Sequence, residues 1–256
     1  MSLFAVDGLT MRFGGLTALD NVSFEVDRGM IFSIIGPNGS GKSTAFNCIS
    51  GIYQPTSGKV SFEGEGISGR APHHIARLGI ARTFQNIELF STETTIDNLM
   101  LGRHQHMRSG IWSGVTMVGR ATKAAREEIR NRERVQWIIE LLDLVHVRDR
   151  PVGELPYGTQ KRVELARALA MEPKLLMVDE PSAGMNADER AEVAERMREL
   201  RAELGVTILL IEHHVQLAIG LADRVLALNF GKPIAQGTPE EIRQHPEVIK
   251  AYLGDG

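Results

Sequence analysis

The sequence predicts an α/β fold with a parallel-sheet core, preceded by an antiparallel β subdomain and interrupted by a helical subdomain. Three observations carry that prediction. Short apolar strands alternate with helical segments through the second half of the chain, the order that builds a parallel sheet. Residues 3–35 alternate apolar and polar positions across a tight turn, as antiparallel strands do. Between these stretches, the apolar run Met30-Ile31-Phe32-Ser33-Ile34-Ile35 leads into Gly36-Pro37-Asn38-Gly39-Ser40-Gly41-Lys42-Ser43-Thr44, a glycine-rich turn that opens a helix.

In chain order, Leu3 to Met11 reads as the first strand, and Val22, Phe24 and Val26 alternate with Ser23 and Glu25 in the second. Asp27-Arg28-Gly29 turns the chain into the buried strand, so that 3–35 as a whole reads as antiparallel β. Beyond the glycine-rich turn and its helix, Gln54-Pro55-Thr56-Ser57-Gly58 is a turn, Lys59 to Glu63 alternates like a strand, and Pro72 to Arg77 is a short helix. Ile80 to Phe84 brings the chain to Gln85. Thr94, with Asp97 three positions on, starts a helix over Ile96 to Leu101. Arg103 to Gly119 is punctuated by Gly and Ser and reads as a loop; Arg120 to Arg134 is a solvated helix face that turns apolar at Ile138, Leu141, Leu142 and Val145. Strands at Leu175–Val178, Val206–Ile211 and Arg224–Leu228 follow, separated by helices that end at Leu204 and Leu221. Asn186 with Glu189 starts the first of those helices, and Thr238-Pro239-Glu240-Glu241 combines an N-cap, a proline at the first helical position and a capping Glu. The expected organisation is one domain over 1–256: core and β subdomain in 1–85 and 156–236, a helical subdomain in 86–155 with an inserted loop at about 103–134, and C-terminal helices in 237–256.

At 256 residues the chain buries a large core without staples, and its single cysteine, Cys48, falls on a helix where it packs as a small apolar group. Lys and Arg total 29 against 32 Asp and Glu, a formal charge of −3, which provides no overall basic field for a nucleic-acid backbone. No apolar run approaches the roughly 18 residues of a membrane span, and Met1 to Thr10 carries Asp7 without a basic leader region. A soluble chain is expected, meeting a membrane only through a partner. The pairs His73-His74, His104/His106 and His213-His214 lack acid or Cys partners at ligand spacing, so no transition metal is assigned.

The chemistry begins at Gly36–Thr44, whose G-x-x-x-x-G-K-[ST] pattern wraps backbone N–H groups around a phosphate chain at a helix N-terminus. Gly36, Gly39 and Gly41 allow the close backbone approach, Lys42 reaches the terminal phosphates, and the Ser43 hydroxyl is offered to Mg2+. Leu175-Leu176-Met177-Val178-Asp179-Glu180 is a buried strand that aims two acids at the same sheet edge. Asp179 is suited to hold Mg2+ through its waters and Glu180 to orient the attacking water, which separates hydrolysis from mere nucleotide binding.

Phosphate loop, Gln85, Leu155-Pro156-Tyr157-Gly158-Thr159-Gln160-Lys161-Arg162, Asp179-Glu180 and His213, in that order, resemble the ATP-binding subunit of ABC transporters over essentially the whole chain. The resemblance implies an ATPase using ATP and Mg2+, on the cytoplasmic side of the membrane. Its implied partners are membrane-spanning permease subunits, a second ABC ATPase subunit (the same or a different chain) and, indirectly, an extracytoplasmic substrate-binding protein. It implies that Gln85 senses Mg2+ and the attacking water, that His213 bonds the γ-phosphate, that Ser182-Ala183-Gly184-Met185-Asn186 crosses between subunits, and that Phe13 stacks on adenine. The signature of that family normally reads Leu-Ser-Gly-Gly-Gln; Pro156, Tyr157 and Thr159 depart from it here, and Pro156 brings neither hydroxyl nor N–H. Gly158 and the helix that follows retain backbone donors for a phosphate.

Finer features resemble the longer ATP-binding subunit of the branched-chain amino acid importer family: Met-Arg-Phe-Gly-Gly-Leu from Met11, Thr83-Phe84-Gln85, the Tyr-Gly signature variant, Ile211-Glu212-His213, and the ending Pro246 to Gly254. Two other readings are compatible with an ABC-type ATPase: one acting without a membrane partner on nucleic acid or ribosomes, and a regulatory subunit with weak hydrolysis. The acidic balance and the absence of a long coiled-coil insertion oppose the first. Intact Lys42, Asp179, Glu180 and His213 oppose the second, while Pro156 favours it.

Overall fold

The computed structural model describes residues 2–84, 87–106 and 123–253. In chain order the elements are β1 (Ser2–Phe13), β2 (Leu16–Asp27), β3 (Ile31–Ile35), α1 (Lys42–Ile49), β4 (Ser57–Phe62), β5 (Glu65–Gly66), α2 (Pro72–Arg77), β6 (Ile80–Arg82) and α3 (Thr95–Gly102). They continue with α4 (Lys123–Leu141), α5 (Tyr157–Ala170), β7 (Leu175–Asp179), α6 (Ala187–Leu204), β8 (Thr207–Glu212), α7 (Val215–Leu221), β9 (Arg224–Asn229), β10 (Lys232–Gly237), α8 (Pro239–Gln244) and α9 (Pro246–Leu253). The chain divides into two compact units, one comprising Met1–Arg82 with Lys174–Gly256 and the other Thr83–Pro173.

The first unit holds two sheets. One is antiparallel, in the order β2-β1-β4-β5; the other runs β10-β9-β3-β8-β7-β6 and is parallel apart from β10, which lies antiparallel on β9. The strand at Ile31–Ile35 corrects the expectation of antiparallel pairing through residue 35: it leaves the first sheet and pairs in parallel with β8 and β9. All five of its residues are buried, the condition of a strand covered on both faces. The core lies between the sheets and around α1, with Phe4, Phe24, Phe32, Phe46 and Phe62 buried and the Phe24 and Phe32 rings stacked at 5.1 Å. In register, Ile35 lies beside Glu212 and Asp179 beside Ile211, so β3, β8 and β7 end level with one another. The strand β10 has no counterpart in the sequence reading; it lies at the sheet edge, carries Pro233, and lacks the apolar alternation that marks a half-buried strand.

The second unit is helical. Thr94 caps α3 by accepting from the Asp97 N–H, the start that the sequence predicts. Gly102 lies so close to α5 that a Cβ there would come within 2.5 Å of the Arg167 carbonyl. The helix α4 stops at Leu141, before the expected Val145, because Asp143 takes a left-handed φ of 53°. Val145 is consequently exposed in a short 3-10 turn. Of the expected loop Arg103–Gly119, Arg103 to His106 forms a 3-10 turn and the remainder lies outside the described residues. The unit takes in the stretch Leu155–Arg162 and α5, whereas the sequence reading ends the helical subdomain at 155.

Candidate active site

The turn after β3 is a tightly closed, glycine-rich loop that opens a helix, a geometry suited to an anion. A Cβ at Gly36 would overlap Ser40 Oγ and the Leu228 carbonyl, and one at Gly41 would come within 2.6 Å of the Ala18 carbonyl, where φ is already +102°. Glycine at these places lets the loop close tightly between β9 and β2. The N-cap position of α1 is Gly41 and supplies no side-chain cap, so the first turn keeps its N–H groups for a phosphate. Lys42 is buried, and its ammonium donates to the carbonyls of Gly36 (2.8 Å) and Pro37 (3.1 Å). Burial holds its pKa below the ordinary lysine value against the opposing pull of Glu180, Asp179 and Glu212. Asn38, Gly39 and Ser43 are exposed, Pro37 and Thr44 are half-buried, and Ser40 is buried with its carbonyl accepting from the Gly231 N–H.

Two acids stand at the end of β7. Asp179 is 3 % exposed and its Oδ2 accepts from Arg82 at 2.9 Å. Glu180 sits at φ 46°, a left-handed backbone in a non-glycine residue, and its N–H is fastened to the Ile211 carbonyl at 3.0 Å. His213 Nδ1 lies 3.7 Å from Glu180 Oε2. The carboxylate of Glu212, wholly buried, organises this corner. Its Oε1 accepts from the Ser182 N–H (3.2 Å) and hydroxyl (2.7 Å), and its Oε2 from the N–H groups of His213 (3.2 Å) and His214 (3.3 Å). One buried charge thus holds the loop after the acids and the loop after β8.

These residues suit Mg2+: a buried carboxylate at Asp179, an exposed hydroxyl at Ser43, and an anion cradle between strand ends that lie level. Among the described residues no group of three or more His, Cys, Asp or Glu is placed to hold a metal ion.

The remaining predicted residues are distributed as follows. Phe13 ends β1 as a residue 44 % exposed, its ring edge-on to Tyr53 at 5.3 Å. Gln85 lies outside the described residues; its neighbour Phe84 has its N–H bound by Glu164 Oε1 (3.1 Å) and its carbonyl by Lys161 Nζ (2.8 Å), both from α5. Pro156, Tyr157 and Gly158 are exposed at the start of α5, and Thr159 is buried. Two residues that sequence reasoning left out of the site are Arg82 and Glu212. For Glu212 the available signal was an acid ending an otherwise apolar strand, next to His213.

The sequence family described as "ABC transporter" matches residues 19–183, well over half of the chain. The chain belongs to the ABC transporter family. Within it, residues 232–256 also match the family described as "Branched-chain amino acid ATP-binding cassette transporter". The chain is 44 % identical to the high-affinity branched-chain amino acid transport ATP-binding protein LivG of Salmonella typhimurium, over 99 % of this chain and 98 % of that one. It is 43 % identical, with the same coverage, to BraF of Pseudomonas aeruginosa, which carries the same description. Among solved structures, a nucleotide-free ATP-binding cassette from an ABC transporter aligns with a TM-score of 0.82 at 34 % identity, covering 100 % of both chains. A cassette in its ADP conformation aligns at 0.84 and 33 %, again over 100 % of both. As an ABC ATP-binding subunit the chain binds and hydrolyses ATP, and the expected α/β cassette fold is the one observed.

Proposed function

We propose that this chain is the ATPase subunit that drives import of branched-chain or related amino acids, one of two ATPase subunits attached to membrane-spanning permease subunits. One observation carries this reading: the likeness to LivG and BraF runs end to end, and the C-terminal 232–256 matches the branched-chain family in particular. No described helix is long and apolar enough to cross a membrane, in keeping with attachment through the permease on its cytoplasmic face. An extracytoplasmic binding protein would deliver the cargo.

In this reading the triphosphate lies along Gly36–Thr44, and Lys42 exchanges the Gly36 and Pro37 carbonyls for phosphate oxygens. Phe13 stacks on the adenine with its exposed face. Ser43, Gln85 and Asp179 would hold Mg2+, which when bound would supply charge neutralisation at the phosphates. Glu180 accepts the proton of the attacking water, its backbone pinned by Ile211, while His213 donates to the γ-phosphate. The exposed Pro156, Tyr157 and Gly158, with Thr159 behind them at the first turn of α5, cap the γ-phosphate of the opposing subunit. Pro156 contributes no donor there, so Gly158 and the helix N-terminus supply the contacts. Loss of the γ-phosphate removes what joins the two subunits, and the pair reopens.

The test is uptake of labelled leucine into proteoliposomes holding the assembled complex and its binding protein. Uptake should require ATP, and Glu180→Gln should retain ATP binding while slowing turnover by about 10²–10⁴-fold. Undiminished turnover in that variant would remove Glu180 from its role. An assembled, ATP-hydrolysing complex that carries neither branched-chain nor other amino acids would refute the cargo.

A further inference from the structure

We propose that Arg82 is the positioning residue for Asp179, fixing its carboxylate for Mg2+ by tying it to the phosphate-loop helix. The inference rests on the reading of Asp179 as the metal-facing acid and adds a residue to that site.

Arg82 is the last residue of the edge strand β6, in register with Met177, two residues short of Asp179 on β7. Its guanidinium donates hydrogen bonds to two elements of the site. Nη2 donates to Asp179 Oδ2 at 2.9 Å, while Nη1 donates to Asn47 Oδ1 at 2.8 Å and Ser50 Oγ at 2.9 Å on and just after α1. The cation also sits 5.4 Å from the centre of the Phe46 ring on α1. Both side chains are nearly closed to water, at 9 % and 3 % exposure.

This arrangement does more than neutralise a buried acid. Two elements must hold one nucleotide together: α1, whose first turn receives phosphate, and β7, whose terminal carboxylate faces the cation. Arg82 is one rigid planar fork bonded to both. With Oδ2 engaged, the carboxylate cannot rotate independently of α1, which is how an outer-shell partner orients a metal ligand. A lysine would keep the charge but, as a single ammonium on a flexible stem, would not span Asp179, Asn47 and Ser50 in one fixed geometry.

The test uses the full chain and a fluorescent, non-hydrolysable ATP analogue, titrated with and without Mg2+. Arg82→Gln should raise the Mg2+ half-saturation by about 10–100-fold, the usual effect of removing an outer-shell partner, and by more than it weakens metal-free affinity. Arg82→Lys should recover only part of that shift. Asn47→Ala, which leaves the buried ion pair intact, should raise the half-saturation by less than Arg82→Gln does, through loss of one anchor. Asp179→Asn is the reference and should shift at least as far as Arg82→Gln.

If Asp179→Asn leaves the Mg2+ dependence unchanged, the reading of Asp179 fails and this inference falls with it. If Asp179→Asn shifts it and the Arg82 variants do not, only the role of Arg82 fails. Should Arg82→Gln not fold, unchanged half-saturation in both Arg82→Lys and Asn47→Ala overturns the proposal, and the predicted shifts in them uphold it. A lowered melting temperature with unchanged Mg2+ half-saturation identifies a purely structural pair and likewise overturns it.

Discussion

Replacing Glu212 with Gln keeps the shape of the side chain while changing its hydrogen bonding and removing its charge. The native carboxylate accepts four bonds, two per oxygen, at 2.7–3.3 Å. An amide has one oxygen, so its NH2 must face one of the two donor pairs. The less costly choice turns the NH2 toward Ser182, whose hydroxyl can reverse and accept while its N–H is left unmet. A buried unmet N–H costs about 1–3 kcal/mol, and demoting the two bonds from His213 and His214 to a neutral acceptor costs roughly 0.5–1 kcal/mol each. Removing a buried charge returns part of this, leaving a net loss of about 1–3 kcal/mol. For a chain of this size that is a fall of roughly 2–12 °C in melting temperature, read by calorimetry without nucleotide. Turnover should fall as well, because the backbone of His213 and the loop from Ser182 lose their common anchor. A variant that melts within about 1 °C of the parent and turns over normally would refute the view that one carboxylate positions both loops.

Gly36→Ala places a methyl against the Leu228 backbone carbonyl, which cannot move without disturbing β9, so ATP-analogue binding should weaken at least about tenfold with a stability loss of roughly 1–3 kcal/mol. Gly39→Ala meets open space and is strained only by its φ of +80°; its effect should be the smaller, and equal effects would contradict the packing argument. Burial pushes the Cys48 thiol up to about 11, so at pH 8 about a thousandth is thiolate, against roughly a quarter for a free cysteine. The native chain should therefore react with a disulfide reagent at least about a hundredfold more slowly than the urea-unfolded chain, and equal rates would show the thiol to be accessible.

What the sequence showed was what is local. The phosphate loop declares itself within nine consecutive residues because the chemistry needs contiguous backbone N–H groups, and Asp179-Glu180 declares itself because an acid pair ends an apolar run. Helix starts at Thr94, Asn186 and Thr238 were legible for the same reason: each cap is a bond to a residue two or three positions away. The sheet assignment of Ile31–Ile35 was not, since a five-residue apolar run carries no period that distinguishes a parallel central strand from the third strand of a meander. Nor was the end of α4, where the apolar spacing continues to Val145 but the backbone of Asp143 does not.

Arg82 and Glu212 escaped for a deeper reason. Nothing in Ile80-Ala81-Arg82 distinguishes that arginine from one on a solvated edge strand; its meaning comes from Asp179, 97 positions away. Glu212 likewise acquires its role from Ser182, 30 positions earlier. Both lie at the carboxyl ends of strands in one sheet, where parallel pairing brings separate segments level and leaves polar ends that must be satisfied without water. A site at such an edge consists of groups that touch ligand and groups that hold them. The first are constrained by the ligand's chemistry and recur as recognisable motifs. The second are constrained only by whichever side chains the fold sets beside them, so they emerge when the topology is known and the buried charges are followed to their partners.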